Sequence, residues 1–153
     1  MNTAEQKAFF EEHDKKIDAI LAKPIAEYTP EDRGLLDFEW KLCRESVFRF
    51  IRYCKILEAP SPNSQGGGLI SLKLFPHVEE TLTYFLAKRF ITILKARQIG
   101  LSTTIAAYVL WFAITHDAAN ILLYSKGQVE ARELLDKSKR IFNYLPEFLK
   151  PKT

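Results

Sequence analysis

Lys95, Arg97, Gly100 and Ser102 fall within eight consecutive residues, and two cations, a glycine and a hydroxyl so spaced can hold phosphate. The stretch Lys95-Ala96-Arg97-Gln98-Ile99-Gly100-Leu101-Ser102-Thr103 follows an apolar run, Phe90-Ile91-Thr92-Ile93-Leu94, and leads into a helical pattern beginning at Ser102. That order predicts strand, tight turn and helix, with backbone N–H groups and the positive end of the helix dipole meeting at one spot. The strict phosphate-loop pattern is G-x-x-x-x-G-K-[ST]. Gly100 and Ser102 match its second glycine and its hydroxyl, Leu101 replaces the lysine, and Lys95 stands where the first glycine belongs. The lysine has moved to the start of the loop, and the leading reading is a permuted nucleotide-binding loop. The competing one is a basic strand-to-helix turn in an ordinary α/β core, with Gly100 needed for the bend.

In the first reading the β- and γ-phosphates of ATP lie over the backbone of Arg97 to Ser102, and Lys95 and Arg97 supply positive charge to the transferring group. Ser102 places its hydroxyl on Mg²⁺, or Thr103 does so if the register slips by one. Lys95 and Arg97 are the catalytic candidates, and residues 95–103 together form the nucleotide site.

These residues need a frame, and the chain predicts one in three parts. Residues 1–58 read as an α-helical head. Thr3 and Gln6 make a capping-box pattern before a helix to about Ala22, which Lys23-Pro24 breaks. Thr29-Pro30-Glu31-Asp32 starts a second helix running to about Leu57, with Leu36, Trp40, Cys43, Val47, Phe50, Cys54 and Leu57 on one apolar face. Its outer face carries Lys41, Arg44, Arg52 and Lys55, a stripe for DNA phosphates or an acidic partner, or simply a solvated surface. Residues 59–68, rich in Pro, Ser and Gly, read as a linker. Residues 69–153 alternate: an extended piece at Leu69–Leu74, a helix from Pro76 to about Lys88, strand Phe90–Leu94, helix Ser102–His116, strand Asn120–Tyr124, and a helix to about Tyr144 opened by a Ser125/Gln128 capping box. Apolar strands alternating with helices predict an α/β fold, a partial parallel sheet with crossover helices like that of a P-loop NTPase, behind the helical head.

Composition limits the remaining classes. A chain of 153 residues that is 47% hydrophobic can bury a substantial core, and a net charge of +3 permits nucleic-acid contact without demanding it. Glu5, Glu11, Glu12 and Asp14 stand where a signal peptide would need apolar residues, and the Ile105–Ile114 run is too short to span a bilayer. Cys43 and Cys54, on one expected helix, would stand roughly 16 Å apart, beyond disulfide reach. His13, His77 and His116 have no ligand-like spacing.

Three patches in order, 95–103, then Tyr124-Ser125-Lys126-Gly127-Gln128, then Leu145-Pro146-Glu147-Phe148-Leu149-Lys150-Pro151, resemble the N-terminal ATPase region of the tailed-bacteriophage terminase large subunit. The resemblance covers about Leu74 to Pro151. It implies ATP and Mg²⁺ as cofactors, double-stranded viral DNA as substrate, and the portal protein and small terminase subunit as partners. It also implies a homo-oligomeric full-length motor at the prohead portal in the host cytoplasm. Gln98 matches the family's R-Q-x-G core as a loop-ordering or phosphate-facing amide, unless it merely faces solvent. Members often carry an adenine-reading Gln in a motif that here resembles Phe75-Pro76-His77-Val78, with Val78 in its place. The family's Walker B acids and nuclease carboxylates have no counterpart after Ser102, so the chain is expected to be the front part of such a motor and to hydrolyse essentially no ATP alone. A helicase-like P-loop ATPase and a non-catalytic DNA- or portal-docking module are the alternatives.

Overall fold

Thr29 opens the best-defined helix of the chain. In the computed structural model, which describes residues 3–57, 68–94 and 100–151, its hydroxyl accepts from the Asp32 N–H at 3.1 Å, while the Asp32 carboxylate accepts from the Thr29 N–H at 3.0 Å. Two first-turn donors are thereby satisfied at once, and Pro30 sits where no N–H is needed. This helix, α2 (Pro30–Glu45), follows α1 (Thr3–Leu21) and a short 3-10 turn at Ile25–Glu27. The order continues with α3 (Val47–Ile51), β1 (Lys55–Leu57), β2 (Leu69–Ser71), α4 (Pro76–Ala87), α5 (Leu101–Thr115), α6 (Gln128–Asn143) and a 3-10 turn at Glu147–Leu149.

The long helix expected from Thr29 to Leu57 is broken. Ser46 leaves the helical region at φ −134°, ψ 114°, ends α2, and turns its hydroxyl to the Arg49 N–H to cap α3. A residue that competes for backbone hydrogen bonds can end one helix and start the next. Leu36, Cys43, Val47, Phe50 and Cys54 are buried as the apolar spacing requires, Trp40 is half-buried, and Leu57 is exposed on β1. Both cysteines are buried, yet they lie on different elements, since Cys54 follows α3.

The α/β expectation fails at the sheet. The described residues form one sheet of two antiparallel strands, with Lys55 opposite Ser71, Ile56 opposite Ile70 and Leu57 opposite Leu69. The described residues form no parallel P-loop sheet, and helices make up most of their architecture. Phe90–Leu94 and Asn120–Tyr124, expected as strands, join neither helix nor ladder. Their apolar runs suit strands covered on both faces, but Phe90 is 84% exposed, Leu94 102%, Leu122 69% and Tyr124 86%. A strand persists only where neighbours take up its N–H and C=O groups, and no described segment does so here.

The core runs through both sides of the Pro/Gly-rich segment, which lies outside the described residues apart from Gly68. Ile17, Leu36, Val47 and Phe50 from the first helices join Leu82, Ala106, Trp111, Ile141 and Leu149 in one cluster. The Trp111 indole N–H donates to the Cys43 carbonyl at 2.8 Å, and Ser138 Oγ donates to the Ala106 carbonyl at 2.9 Å. Ala106 and Ala107 are fully buried, and residues this small let α6 approach α5 closely. No helix among the described residues is long and apolar enough to cross a membrane.

Candidate functional site

Of the nine residues expected to hold nucleotide, Lys95, Ala96, Arg97, Gln98 and Ile99 lie outside the described residues, and Gly100, Leu101, Ser102 and Thr103 form the head of α5. Gly100 is the N-cap and takes φ 78°, ψ −8°, the left-handed region that glycine enters without a Cβ penalty. Its carbonyl accepts from the N–H groups of Thr103 at 3.1 Å and Thr104 at 3.2 Å. Thr104 Oγ1 adds a third bond to the same oxygen at 3.3 Å. Leu101 and Thr104 are buried and anchor this first turn, Ser102 is exposed, and Thr103 is half-buried. No side chain caps the helix at Gly100 and its first turn holds no acid, so nothing there opposes an anion. The exposed Ser102 hydroxyl is better placed than Thr103 to meet a ligand at the helix head.

The second patch does not form as expected. Gly127, not Ser125, is the N-cap of α6, and it makes no side-chain cap; Ser125 and Lys126 precede it in the open. Lys126 pairs with Glu130 at 3.3 Å. In the third patch Leu145 and Leu149 are buried and the 3-10 turn closes the core after α6. Val78 is buried on α4, so the place where the resemblance looks for an adenine-reading amide packs inward.

The basic stripe is divided. Lys41 is exposed on α2, Arg44 lies over the Trp40 ring at 5.6 Å, Arg52 is taken up by Asp18 and Asp14, and Lys55 is on β1. The α2–α3 break distributes what would be one helical face over α2, the end of α3 and β1. Among the described residues no group of three or more His, Cys, Asp or Glu could hold a metal ion.

Sequence reasoning missed the most charged part of the interior. Glu39, on α2, is fully buried and accepts from Arg49 Nε at 2.7 Å, Arg49 Nη2 at 2.8 Å and the Tyr53 hydroxyl at 2.7 Å. His13 Nε2 lies 2.8 Å from its other side, and Arg49 also reaches Asp14 on α1. Burial pushes the Glu39 carboxyl up, but the hydrogen bonds from Arg49, Tyr53 and His13 and the guanidinium charge outweigh it and hold it below its ordinary value. Burial and the same carboxylate push the Tyr53 hydroxyl well above the usual tyrosine range. Burial raises the Cys43 thiol, and the Glu39 charge raises it further. The signal was available: Glu39 sits three residues after Leu36 and four before Cys43, on the apolar face.

No protein-family model matches this chain.

Proposed function

We propose that this chain binds nucleotide for a DNA-packaging motor of the terminase large-subunit type, with phosphate held at the head of α5. The observation that carries the reading is Gly100, a left-handed N-cap without a side-chain cap, followed by a buried anchor at Leu101 and an exposed hydroxyl at Ser102. The three patches that resemble the terminase family add the two cations, Lys95 and Arg97, in front of that turn. The strand expected before the turn, Phe90–Leu94, does not form, so the reading rests on the helix head and the basic residues before it.

ATP is the ligand this proposal names. Lys95 and Arg97 bind and neutralise its β- and γ-phosphates, and the first-turn N–H groups of α5 orient them. Ser102 fits the single protein oxygen that a phosphate-bound Mg²⁺ takes, where the ion would offset phosphate charge. We assign the chain binding and not turnover. Asp117 is fully solvated and only loosely near Arg44 at 3.9 Å, and Asp136 pairs with Lys139 on the surface of α6. The test is calorimetry with ATP and Mg²⁺ on the full chain. Lys95→Ala should remove binding while leaving the circular-dichroism spectrum unchanged; equal affinity in the variant would refute the proposal.

A second reading, a docking module for a portal or small terminase subunit, is favoured by the solvent-facing apolar side chains of Phe90, Leu94, Leu122 and Tyr124. Paired Phe90→Asp and Leu122→Asp substitutions should then abolish portal binding and leave nucleotide binding intact.

A further inference from the structure

A cleft of about 1070 Å³ opens between the turn joining α1 to α2, one face of the β1–β2 ribbon and the C-terminal 3-10 turn. It lies away from the head of α5 and shares no residue with it. Buried Leu36 and Tyr53 lie at its base, and Tyr28, Tyr144 and Phe148 contribute ring surface to its walls.

The charges around it are arranged asymmetrically. Arg52 donates to both Asp18 oxygens at 2.9 and 2.8 Å, and Lys150 pairs with Glu147 at 2.6 Å. Arg52 also meets Asp14 at 3.1 Å, whose 30% exposure matches its own 28%, so two carboxylates compensate it. Lys150 is further from water than its partner, with side-chain exposure of 22% against 63% for Glu147. Solvent screens Glu147 more than Lys150, so positive potential remains on the Lys150 side of the cleft. Lys55 adds a further cation from the ribbon, with no ion pair among the described residues. Lys23 is taken up at the lip by Asp32.

The geometry points to a binding site for a nucleotide unit, a planar base carrying phosphate. Lys55 and Lys150 receive the phosphate, and the exposed ring of Tyr144 receives the base, which stacks on it whatever its identity. The cleft is at the upper end of small-molecule sites, ~300–1000 Å³, and has room for one such unit with its neighbour. An acidic peptide would use the cations but leave the rings without a planar partner, which is why the nucleotide is favoured. The unit can come from a free nucleotide or from a single strand, and the inference stands whether or not the loop before α5 binds ATP.

The experiment uses the full chain, a labelled oligothymidine of about eight nucleotides, and a labelled mononucleotide, read by anisotropy. Lys55→Glu and Tyr144→Ala, both at exposed side chains, should each weaken the bound probe about tenfold without changing the melting temperature. Both probes are read in a Lys95→Ala background, which removes nucleotide held at the head of α5, so that the binding seen is that of the cleft. Binding of the oligonucleotide alone assigns the site to a strand; equal binding of the mononucleotide assigns it to a free ligand. If neither probe binds, if both cleft variants bind like the parent, or if polyglutamate competes as well as the oligonucleotide, the site is not one for nucleotides.

Discussion

Arg49 holds Glu39 with a fork, Nε to Oε1 at 2.7 Å and Nη2 to Oε2 at 2.8 Å, and the carboxylate so held has no exposed surface. The pair joins α2 to α3 across the Ser46 break, and Asp14 and His13 extend it to α1. Three helices therefore share one buried charge. Removing one partner strands the other: Arg49→Met should cost about 3–5 kcal/mol, measured by urea denaturation. The double variant Glu39→Leu, Arg49→Met should lose less than Arg49→Met alone, because no charge is left buried without a partner. A double variant less stable than the single one would contradict this account.

The same carboxylate sets an acid limb to stability. Its folded-state value lies below the ordinary glutamate value of 4.5, so the unfolded chain binds the proton more readily. Its contribution is full above that ordinary value and is lost as pH falls through the depressed one. Melting temperature should therefore drop more steeply below pH 4.5 in the parent than in Glu39→Gln, which has no proton to gain at that site. Parallel acid limbs in the two proteins would assign acid unfolding to other groups.

Gly34 occupies an exposed position inside α2, and a Cβ built there meets nothing within 4 Å. Glycine in a helix interior forfeits roughly 0.5–1 kcal/mol relative to alanine through the freedom of the unfolded chain. Gly34→Ala should stabilise by about that amount, raising the melting temperature by ~2 °C.

Ala118 has φ 55°, a left-handed backbone carrying a Cβ, in the turn that follows α5. Ala118→Gly relieves that conformation and should be neutral to stabilising by up to about 1 kcal/mol. Gly100 presents the reverse case: there is space for a Cβ but φ is 78°. Gly100→Ala should destabilise by about 1 kcal/mol for conformational reasons alone. Thermal melts should show a fall for Gly100→Ala and no fall for Ala118→Gly.

Helix positions were legible where the residues act locally. Thr29, Pro30 and Asp32 announce α2 because a cap works through neighbours in sequence; the apolar Ile105–Ile114 run placed α5, and α6 was placed within a few residues from a capping box that does not form. The break at Ser46 was hidden, since one serine inside an apolar period reads as an outward polar residue until its hydroxyl is seen bonding Arg49. The ribbon was half hidden: Leu69–Ser71 shows as extended, but Lys55–Leu57 merges with the helical period before it. The parallel sheet was inferred from Phe90–Leu94 and Asn120–Tyr124, whose composition favours strands but cannot supply the pairing that makes them so. At the candidate site Gly100 was legible from the need for a bend. Glu39 was legible as an acid on an apolar face, but its partners were not, because Arg49, His13 and Tyr53 come from elsewhere in the chain.

The indole of Trp111 is nearly buried and bonded to the Cys43 carbonyl, while the other tryptophan, Trp40, is half-buried on α2. The seam where α5 meets the first helices thus carries its own optical reporter. Parting of α5 from α2 would expose Trp111 to water and shift its emission to the red, so intrinsic fluorescence would register that separation without any added label.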